Sequence, residues 1–380
     1  MNIVNSHNEW DDLEEVIVGD GFPTDLPLLD YSFKLFFHEN LHHTDIYKKD
    51  ENSEYINQRK RAYGQYHHIS KRHCEEHSED VEAFVTLLQT LGVNVKRPKK
   101  PKIIQTIKTP VFDSTIHPAL NVRDMAMVIG NTIIETPPTC RYRYFENNLL
   151  HHLFLDYFKN GSKWIHAPKP LMTDNSFDLS WIDETNGKQT YLDIKQNHNH
   201  FDCGYEIMFD AANCMRLGKH ILMNVINENQ RLGAQWLQNT LGCEYKVLTA
   251  PLADSHIDSS FLPLKPGVAI ITKEYIKNIL PKELQTWDLV HIPMRNRSEQ
   301  ELNTQGIKLA SPRIELNVFS VSKELIICHP QYEKELNHKL KKYNIEAVGT
   351  PFRHCEIFGG AHHCTTLDVR RKSKYENYFE

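Results

Sequence analysis

The sequence predicts a single ring-like α/β domain, and three observations support this prediction. A short apolar strand, an amphipathic helix and a second short strand follow one another five times along the 380 residues. Each second strand stops at a proline, which cannot donate a hydrogen bond to a sheet ladder. The five units are weakly similar to one another, and such a repeat favours one α/β structure over a string of separate domains.

The first strand of each unit is predicted from a short apolar run. These runs are EEVIVG (14–19), MAMVIG (125–130), HILMNV (220–225), GVAIIT (267–272) and ELIICH (324–329). The helices that follow include VEAFVTLLQTLG, LLHHLFLDYFKNG, RLGAQWLQNTLG, KEYIKNILPKELQ and YEKELNHKLKKYN. Apolar residues recur in four of these helices at three-to-four spacing. Pro281 lies inside the helix that follows GVAIIT, so we expect that helix to be broken.

The closing strands end at five prolines: Pro98, Pro168, Pro251, Pro293 and Pro351. If these strands converge on one axis, the loops after them lie close together. Residues 20–80 and 172–206 interrupt the repeat. We expect both to be insertions or lid loops of one domain that spans 1–380.

Composition excludes several classes of protein. The formal net charge is −5, so no overall basic field attracts a nucleic acid. No segment has the apolar length of a membrane span, and the N-terminus lacks the pattern of a signal peptide. The eight cysteines form no CxxC pair, and the histidines at 198 and 200 lack a third ligand at a suitable spacing. We therefore expect a cytoplasmic protein with free thiols and no metal site.

The loops between the predicted elements carry a thiol, an imidazole and three carboxylates. These are Cys364, His256, Asp210, Asp124 and Asp258. Carboxylates can hold a planar guanidinium by paired hydrogen bonds, and a thiolate can attack its central carbon. A histidine oriented by a carboxylate can transfer the proton that this reaction requires. Taken singly, each residue also has a structural interpretation; Asp210, for example, could cap a helix.

Seven motifs in this order resemble the amidinotransferases, a family that includes glycine amidinotransferase and the inosamine-phosphate amidinotransferases. The motifs are NEWDDLEEVIVG, RDMAMVIGNTIIETP, YFKNGSKWIHAPKP, FDAAN, SHIDSSF, LNVFSVS and GGAHHCTTLDVRR. The resemblance covers nearly the whole chain. It implies a five-bladed α/β propeller with pseudo-fivefold symmetry, the pentein-like fold, which agrees with the five units counted above.

The resemblance also implies a role for each residue of the site. Cys364 matches the nucleophile, His256 the general acid/base, and Asp210 the aspartate that orients this histidine. Asp124 and Asp258 match the aspartates that grip the guanidino group. Further substrate contacts are implied at Asn317, Ser311, Arg313 and Tyr275.

The sequence departs from the family pattern where the carboxylate of the donor is held. Tyr275 stands where relatives have an arginine, and Ala310 stands where a second small polar residue usually lies beside Ser311. Arg313 is close in sequence and is a candidate replacement for the missing arginine. Asn213 replaces the usual aspartate of FDAAN. These changes affect the expected identity of the guanidino donor more than the expected reaction at Cys364.

The predicted activity is the transfer of an amidino group from a guanidino donor, L-arginine first among them, to a primary amine through a covalent adduct on Cys364. No cofactor is expected, and the partners are small molecules. The changed donor contacts favour a role in specialised metabolism. The acceptor stays open, as does the assembly state, with a homodimer as one alternative. A guanidino hydrolase on the same scaffold and a non-catalytic binding protein are the alternative functions.

Overall fold

The computed structural model describes residues 3–21, 24–27, 30–37, 69–102, 104–181, 196–252, 255–293, 307–310 and 312–379. Residues 38–68 of the first predicted insertion (20–80) and 182–195 of the second (172–206) lie outside these ranges. No helix within them is long and apolar enough to cross a membrane.

Five three-stranded sheets with one shared topology make up the fold, and we number them as units 1 to 5 along the chain. In each, the middle strand pairs antiparallel with one neighbour and parallel with the other. With the outer antiparallel, middle and outer parallel strands given in that order, unit 1 consists of Thr366–Arg371, Leu13–Val18 and Asn94–Lys96. Unit 2 consists of Ala126–Ile129, Thr132–Glu135 and Lys163–His166, and unit 3 of Cys214–Leu217, His220–Asn224 and Lys246–Ala250. Those of units 4 and 5 are Phe261–Lys265, Val268–Ile271 and Asp288–His291; Phe319–Ser320, Leu325–Cys328 and Glu346–Gly349. A separate hairpin joins Gln105–Lys108 to Asp113–Ile116.

A helix connects the two parallel strands of every unit. In order these helices are Lys71–Thr90, His151–Lys159, Glu228–Leu241, Ile276–Ile279 and Pro330–Leu340. The described residues also include short helices at Tyr31–Phe36 and Cys355–Phe358. The helix of unit 4 stops after one turn, and a 3-10 turn (Lys282–Leu284) follows Pro281. The predicted break in this helix is therefore confirmed, because a proline cannot continue the hydrogen-bond ladder.

The repeat predicted from sequence is confirmed, with two corrections. Each unit has a third strand that was not predicted; in unit 5 this strand, Phe319–Ser320, is only two residues long. In unit 2 the predicted first strand is the outer antiparallel strand, Ala126–Ile129, and the middle strand is Thr132–Glu135. The apolar run alone could not distinguish the two, since both are buried.

Contacts link each unit to the next and the fifth unit to the first. Between units 5 and 1, the Leu13 amide donates to the Val321 carbonyl over 2.9 Å. The segment before Leu13–Val18 also bridges the units, since Ser6 pairs with Gly130 of unit 2 and Asn8 pairs with Leu217 of unit 3. The loops of different units therefore meet at the centre of the molecule.

A buried ion network, which we call the central ion network, occupies this meeting point. It consists of Glu9, Arg123, Arg216, Asp368 and Arg371, each at most 6% exposed. Asp368 lies 2.6 Å from a nitrogen of each of the three arginines. Arg216 also holds Glu9 through two nitrogens, at 2.6 and 2.8 Å. Because the five residues come from units 1, 2 and 3, the network joins these units to one another.

Gly19 packs closely against the backbone of Leu120, and the importance of this contact can be tested. A Cβ placed on Gly19 would lie 1.7 Å from the Leu120 carbonyl oxygen, so the backbone must move to admit it. We expect Gly19→Ala to lower the free energy of unfolding by about 3 kcal/mol. Gly92→Ala is the matched control, because Gly92 has a φ of +84° and open space around it. Its loss should be only about 1 kcal/mol. Equal losses in urea denaturation would contradict the steric argument.

Candidate active site

Five side chains singled out from the sequence lie at the ends of short turns near the centre of the molecule. Asp124 ends the 3-10 turn Val122–Asp124, and Asp258 lies within Ile257–Ser259. Asp210 and His256 directly precede such turns, and Cys364 precedes the strand Thr366–Arg371. All five are at most 9% exposed. The structure therefore brings together the thiol, the imidazole and the three carboxylates.

His256 is held between two carboxylates. Its Nε2 lies 2.9 Å from Asp210 Oδ2, and its Nδ1 lies 3.6 Å from Asp124 Oδ1. The backbone N–H and the hydroxyl of Thr139 donate to the two oxygens of Asp210, at 3.0 and 2.9 Å. Asp210 does not cap the turn that follows it. The Asp210 carboxylate therefore orients the imidazole of His256, whose Nδ1 points towards Asp124. The ring of Phe36 covers the imidazole at a centroid distance of 5.3 Å.

The second carboxylate, Asp124, is anchored through one oxygen only. Its Oδ2 accepts a short hydrogen bond from Arg143, whose guanidinium also binds Glu146 through two bonds of 2.7 and 2.8 Å. Arg143 Nη2 further donates to the Asn121 carbonyl at 2.9 Å. Asp124 Oδ1 is buried and accepts no hydrogen bond. One oxygen of this residue is therefore fixed while the other is available to a ligand.

Cys364 lies against the third carboxylate. Its Sγ is 3.2 Å from Asp258 Oδ2, and its backbone N–H donates to Asn317 Oδ1 at 2.8 Å. Asp258 Oδ1 is buried and, like Asp124 Oδ1, accepts no hydrogen bond. Unpaired buried oxygens are rare, because they lose the hydrogen bonds of water without replacement. Asp258 Oδ1 beside the thiol and Asp124 Oδ1, which lies 3.6 Å from His256 Nδ1, are thus two carboxylate oxygens open to a hydrogen bond, and together they form a cradle for a planar cation.

The charges of the site set the protonation of its groups. Burial lowers the pKa of His256, but the carboxylates of Asp124 and Asp210, followed by that of Asp258, outweigh it and raise the pKa to about 9. Burial, followed by the charges of Asp258 and Asp124, raises the pKa of the Cys364 thiol well above its usual range. Without a ligand the imidazole is therefore charged and the thiol neutral at pH 7.

Sequence reasoning missed several residues of the site. Thr139, Arg143 and Glu146 lie between the strand Thr132–Glu135 and the helix of unit 2, where no periodic pattern identifies them. Phe36 belongs to a stretch that was considered only as an insertion. His363 was not identified either, although its Nδ1 lies 2.8 Å from Asp258 Oδ2.

Of the other predicted substrate contacts, the structure describes the side chains of Asn317 and Tyr275 only. Asn317 lies beside Cys364, whose backbone N–H donates to its Oδ1. Tyr275 is half exposed, and its hydroxyl lies 3.2 Å from Lys273 Nζ. Arg313 lies in the 3-10 turn Pro312–Leu316, but its side chain is outside the described part of the chain, as is Ser311.

The raised pKa of His256 predicts a pH-dependent stability. A group whose pKa is raised by folding stabilises the native state below its unfolded pKa, here 6.5. That contribution is lost as pH rises through about 9. We expect wild type to exceed His256→Gln in free energy of unfolding by up to about 3 kcal/mol at acidic to neutral pH, and the gap to close at alkaline pH. Denaturant titrations across this range measure it; a gap that does not change with pH would refute the prediction.

Comparison with known proteins relates this geometry to a family. No family model matches the chain. It is 30% identical to inosamine-phosphate amidinotransferase 1 of Streptomyces griseus over 98% of this chain and 99% of that protein. It is also 30% identical to the L-arginine:L-lysine amidinotransferase of Pseudomonas savastanoi pv. phaseolicola, over 99% of this chain and 96% of that one.

Solved structures give the same relationship. An amidinotransferase from Microseira wollei in the saxitoxin biosynthetic pathway superimposes with a TM-score of 0.77 at 30% identity, over 99% of both chains. A dimethylarginine dimethylaminohydrolase has a TM-score of 0.52 at 13% identity, over 93% of this chain and 99% of that one, and shares the fold alone. The predicted pentein-like fold class is therefore confirmed. Full-length identity of 30% with named enzymes shows that this chain belongs to the amidinotransferase family.

Proposed function

We propose that the protein transfers an amidino group from L-arginine to a primary amine through an amidino adduct on Cys364. The observation that carries this proposal is the cradle at the thiol, where Asp124 and Asp258 each present one buried oxygen without a hydrogen bond. A guanidinium is planar, cationic and rich in N–H donors, and carboxylates on two sides match it.

The first half of the proposed reaction forms the adduct. The Cys364 thiol releases its proton to solvent as the donor binds, and the resulting thiolate attacks the guanidino carbon while Asp124 and Asp258 hold the outer nitrogens. The C–N bond to the leaving amine breaks, and the imidazolium of His256 gives that amine its proton. The products are the free amine and an amidino group bonded to Sγ. His256 is charged near neutral pH in the free protein, which suits it to act first as an acid.

The second half reverses these steps with a different amine. The acceptor enters the space that the first amine left, and the now neutral His256 removes its proton. The amine nitrogen attacks the amidino carbon, the C–S bond breaks, and the thiolate of Cys364 is restored. Two moderate barriers thus replace one high barrier, which is the general advantage of covalent catalysis.

Donor binding would itself activate the nucleophile. In the free protein the charges of Asp258 and Asp124 help to raise the pKa of the Cys364 thiol. A guanidinium between the two carboxylates neutralises part of that charge and adds a positive charge next to Sγ. The thiolate therefore becomes favourable when its substrate is present, which limits side reactions of the empty site.

The acceptor is proposed at the level of a primary amine in specialised metabolism. Its support is the identity to relatives named for inosamine phosphate and for L-lysine. We further propose a cytoplasmic enzyme, and a homodimer as its assembly; size-exclusion chromatography with light scattering tests the latter.

The adduct can be observed directly. Incubation with L-arginine in the absence of an acceptor should add the mass of one amidino group to the peptide that contains Cys364. Cys364→Ala should abolish both the adduct and turnover, whereas Cys355→Ala, which removes another buried thiol nearby, should retain them. Product analysis with an added amine separates transfer from hydrolysis. Full activity of Cys364→Ala would exclude the mechanism, and a ureido product alone would establish a hydrolase instead.

The donor preference tests the altered carboxylate contacts. A phenol at position 275 offers one hydrogen bond and no positive charge, so wild type should use arginine and agmatine with kcat/KM values within about tenfold of each other. Tyr275→Arg should shift the ratio towards arginine, and Tyr275→Phe is the control for loss of the hydroxyl. A strong wild-type preference for arginine that survives in Arg313→Ala would show that a different residue holds the carboxylate.

A further inference from the structure

His363 is a buried histidine beside the nucleophile that the proposed reaction does not use. Its Nδ1 lies 2.8 Å from Asp258 Oδ2, the same oxygen that lies 3.2 Å from Cys364 Sγ. Its Nε2 lies 3.7 Å from Glu9 Oε2. The imidazole therefore stands between a carboxylate of the cradle and the central ion network.

The backbone of His363 is held on both sides. Its N–H donates to the Asn317 carbonyl at 3.2 Å. Its carbonyl accepts from Arg123 Nε at 2.9 Å and from the Thr366 hydroxyl at 2.8 Å. Arg123 belongs to the central ion network, so the network fixes the main chain at 363 as well as facing its ring. The position of the imidazole relative to Asp258 is thereby set from outside the cradle.

Buried groups of opposite charge lie on the two sides of His363. The central ion network contains three guanidinium groups and two carboxylates, all buried, and so carries one excess positive charge. Asp258 carries a buried negative charge, and an isolated buried charge is costly unless it is paired. The ring of His363 lies between the two and faces a carboxylate at each nitrogen, Asp258 at Nδ1 and Glu9 at Nε2.

We propose that His363 is a positioning residue that keeps Asp258 ionised and oriented, with one oxygen towards the thiol and the other left for the guanidino group of the donor. This inference rests on the function proposed above and adds a residue to it. His363 acts through Asp258 and touches no reacting atom.

The groups around Asp258 agree with this role. It faces His363, Cys364 and Asn317 directly, and the charge of His256 acts on it from the other side, with Asp124 across the same thiol. Burial would raise the pKa of Asp258, but the hydrogen bond and charge of His363, followed by the charge of His256, hold it well below its usual range. His363 is the largest of these opposing influences.

Two substitutions of His363 test the roles of its two ring nitrogens separately. An asparagine amide can place an N–H near the position of Nδ1, so His363→Asn retains a donor to Asp258. A glutamine amide reaches towards the position of Nε2, so His363→Gln retains the contact with Glu9 and loses the donor to Asp258. His363→Ala replaces the glutamine variant if that variant does not fold. His362→Gln is the matched control, because His362 is equally buried but its Nε2 lies 3.1 Å from the Thr350 carbonyl.

The measurement is the rate of adduct formation on Cys364 at limiting L-arginine, followed by mass spectrometry across the acidic range. Without its donor, buried Asp258 takes up a proton more readily and releases the guanidinium. The rate of His363→Gln relative to wild type should therefore fall by a further factor of about ten between about pH 8 and about pH 5.5. The relative rates of His363→Asn and His362→Gln should stay nearly constant over this range.

The outcomes distinguish this inference from the function on which it rests. If wild type forms no adduct, the proposed function fails. If wild type forms the adduct and the relative rate of His363→Gln does not change with pH, His363 is only a packing residue and the inference is overturned. It is also overturned if His363→Asn shows the same acidic loss as His363→Gln, since the donor to Asp258 would then be irrelevant.

Discussion

The structure depends on the pairing of buried charges at the centre, where units 1, 2 and 3 meet. Asp368 binds three arginines, of which Arg123 and Arg216 lie 245 and 152 residues before it in the sequence, and Glu9 binds these same two. Breaking one partner of such a network leaves an uncompensated charge in a water-free environment, which is strongly destabilising. Units 1, 2 and 3 therefore cannot slide past one another without large cost. This constraint keeps the segments that carry Asp124, Asp210 and Cys364 in fixed relation to one another.

The site built on this centre is negatively charged before a ligand arrives. Asp124, Asp210 and Asp258 surround His256, and the thiol is kept neutral by its anionic neighbours. Such a site favours a guanidinium over a neutral urea of the same shape, because only the cation relieves the repulsion among the carboxylates. The same electrostatics thus favour substrate binding and disfavour retention of a neutral ureido compound. Selectivity and reactivity then arise from one set of charges.

The sequence was sufficient for the repeat and for the residues that meet at the thiol, because both leave local signals. Apolar runs, helical spacing and Pro281 mark the units, and short motifs mark the loops. Arg143 and Thr139 left no such signal, since their partners Asp124 and Asp210 are distant in sequence. The outer strand Phe319–Ser320 was too short to detect. In unit 2, two consecutive buried strands could be told apart only by their pairing, which is a tertiary property.

The pairing of the last strand with the first has a consequence for how the enzyme is made. Thr366–Arg371 lies antiparallel to Leu13–Val18, and Cys364 directly precedes it. During synthesis, units 2 to 5 can assemble as they leave the ribosome, but unit 1 must wait for residues near 371. The central ion network lacks Asp368 and Arg371 until that moment. The nascent chain therefore holds the carboxylates and the imidazole for some time without the Cys364 thiol, and the complete site forms only when the last strand pairs with the first.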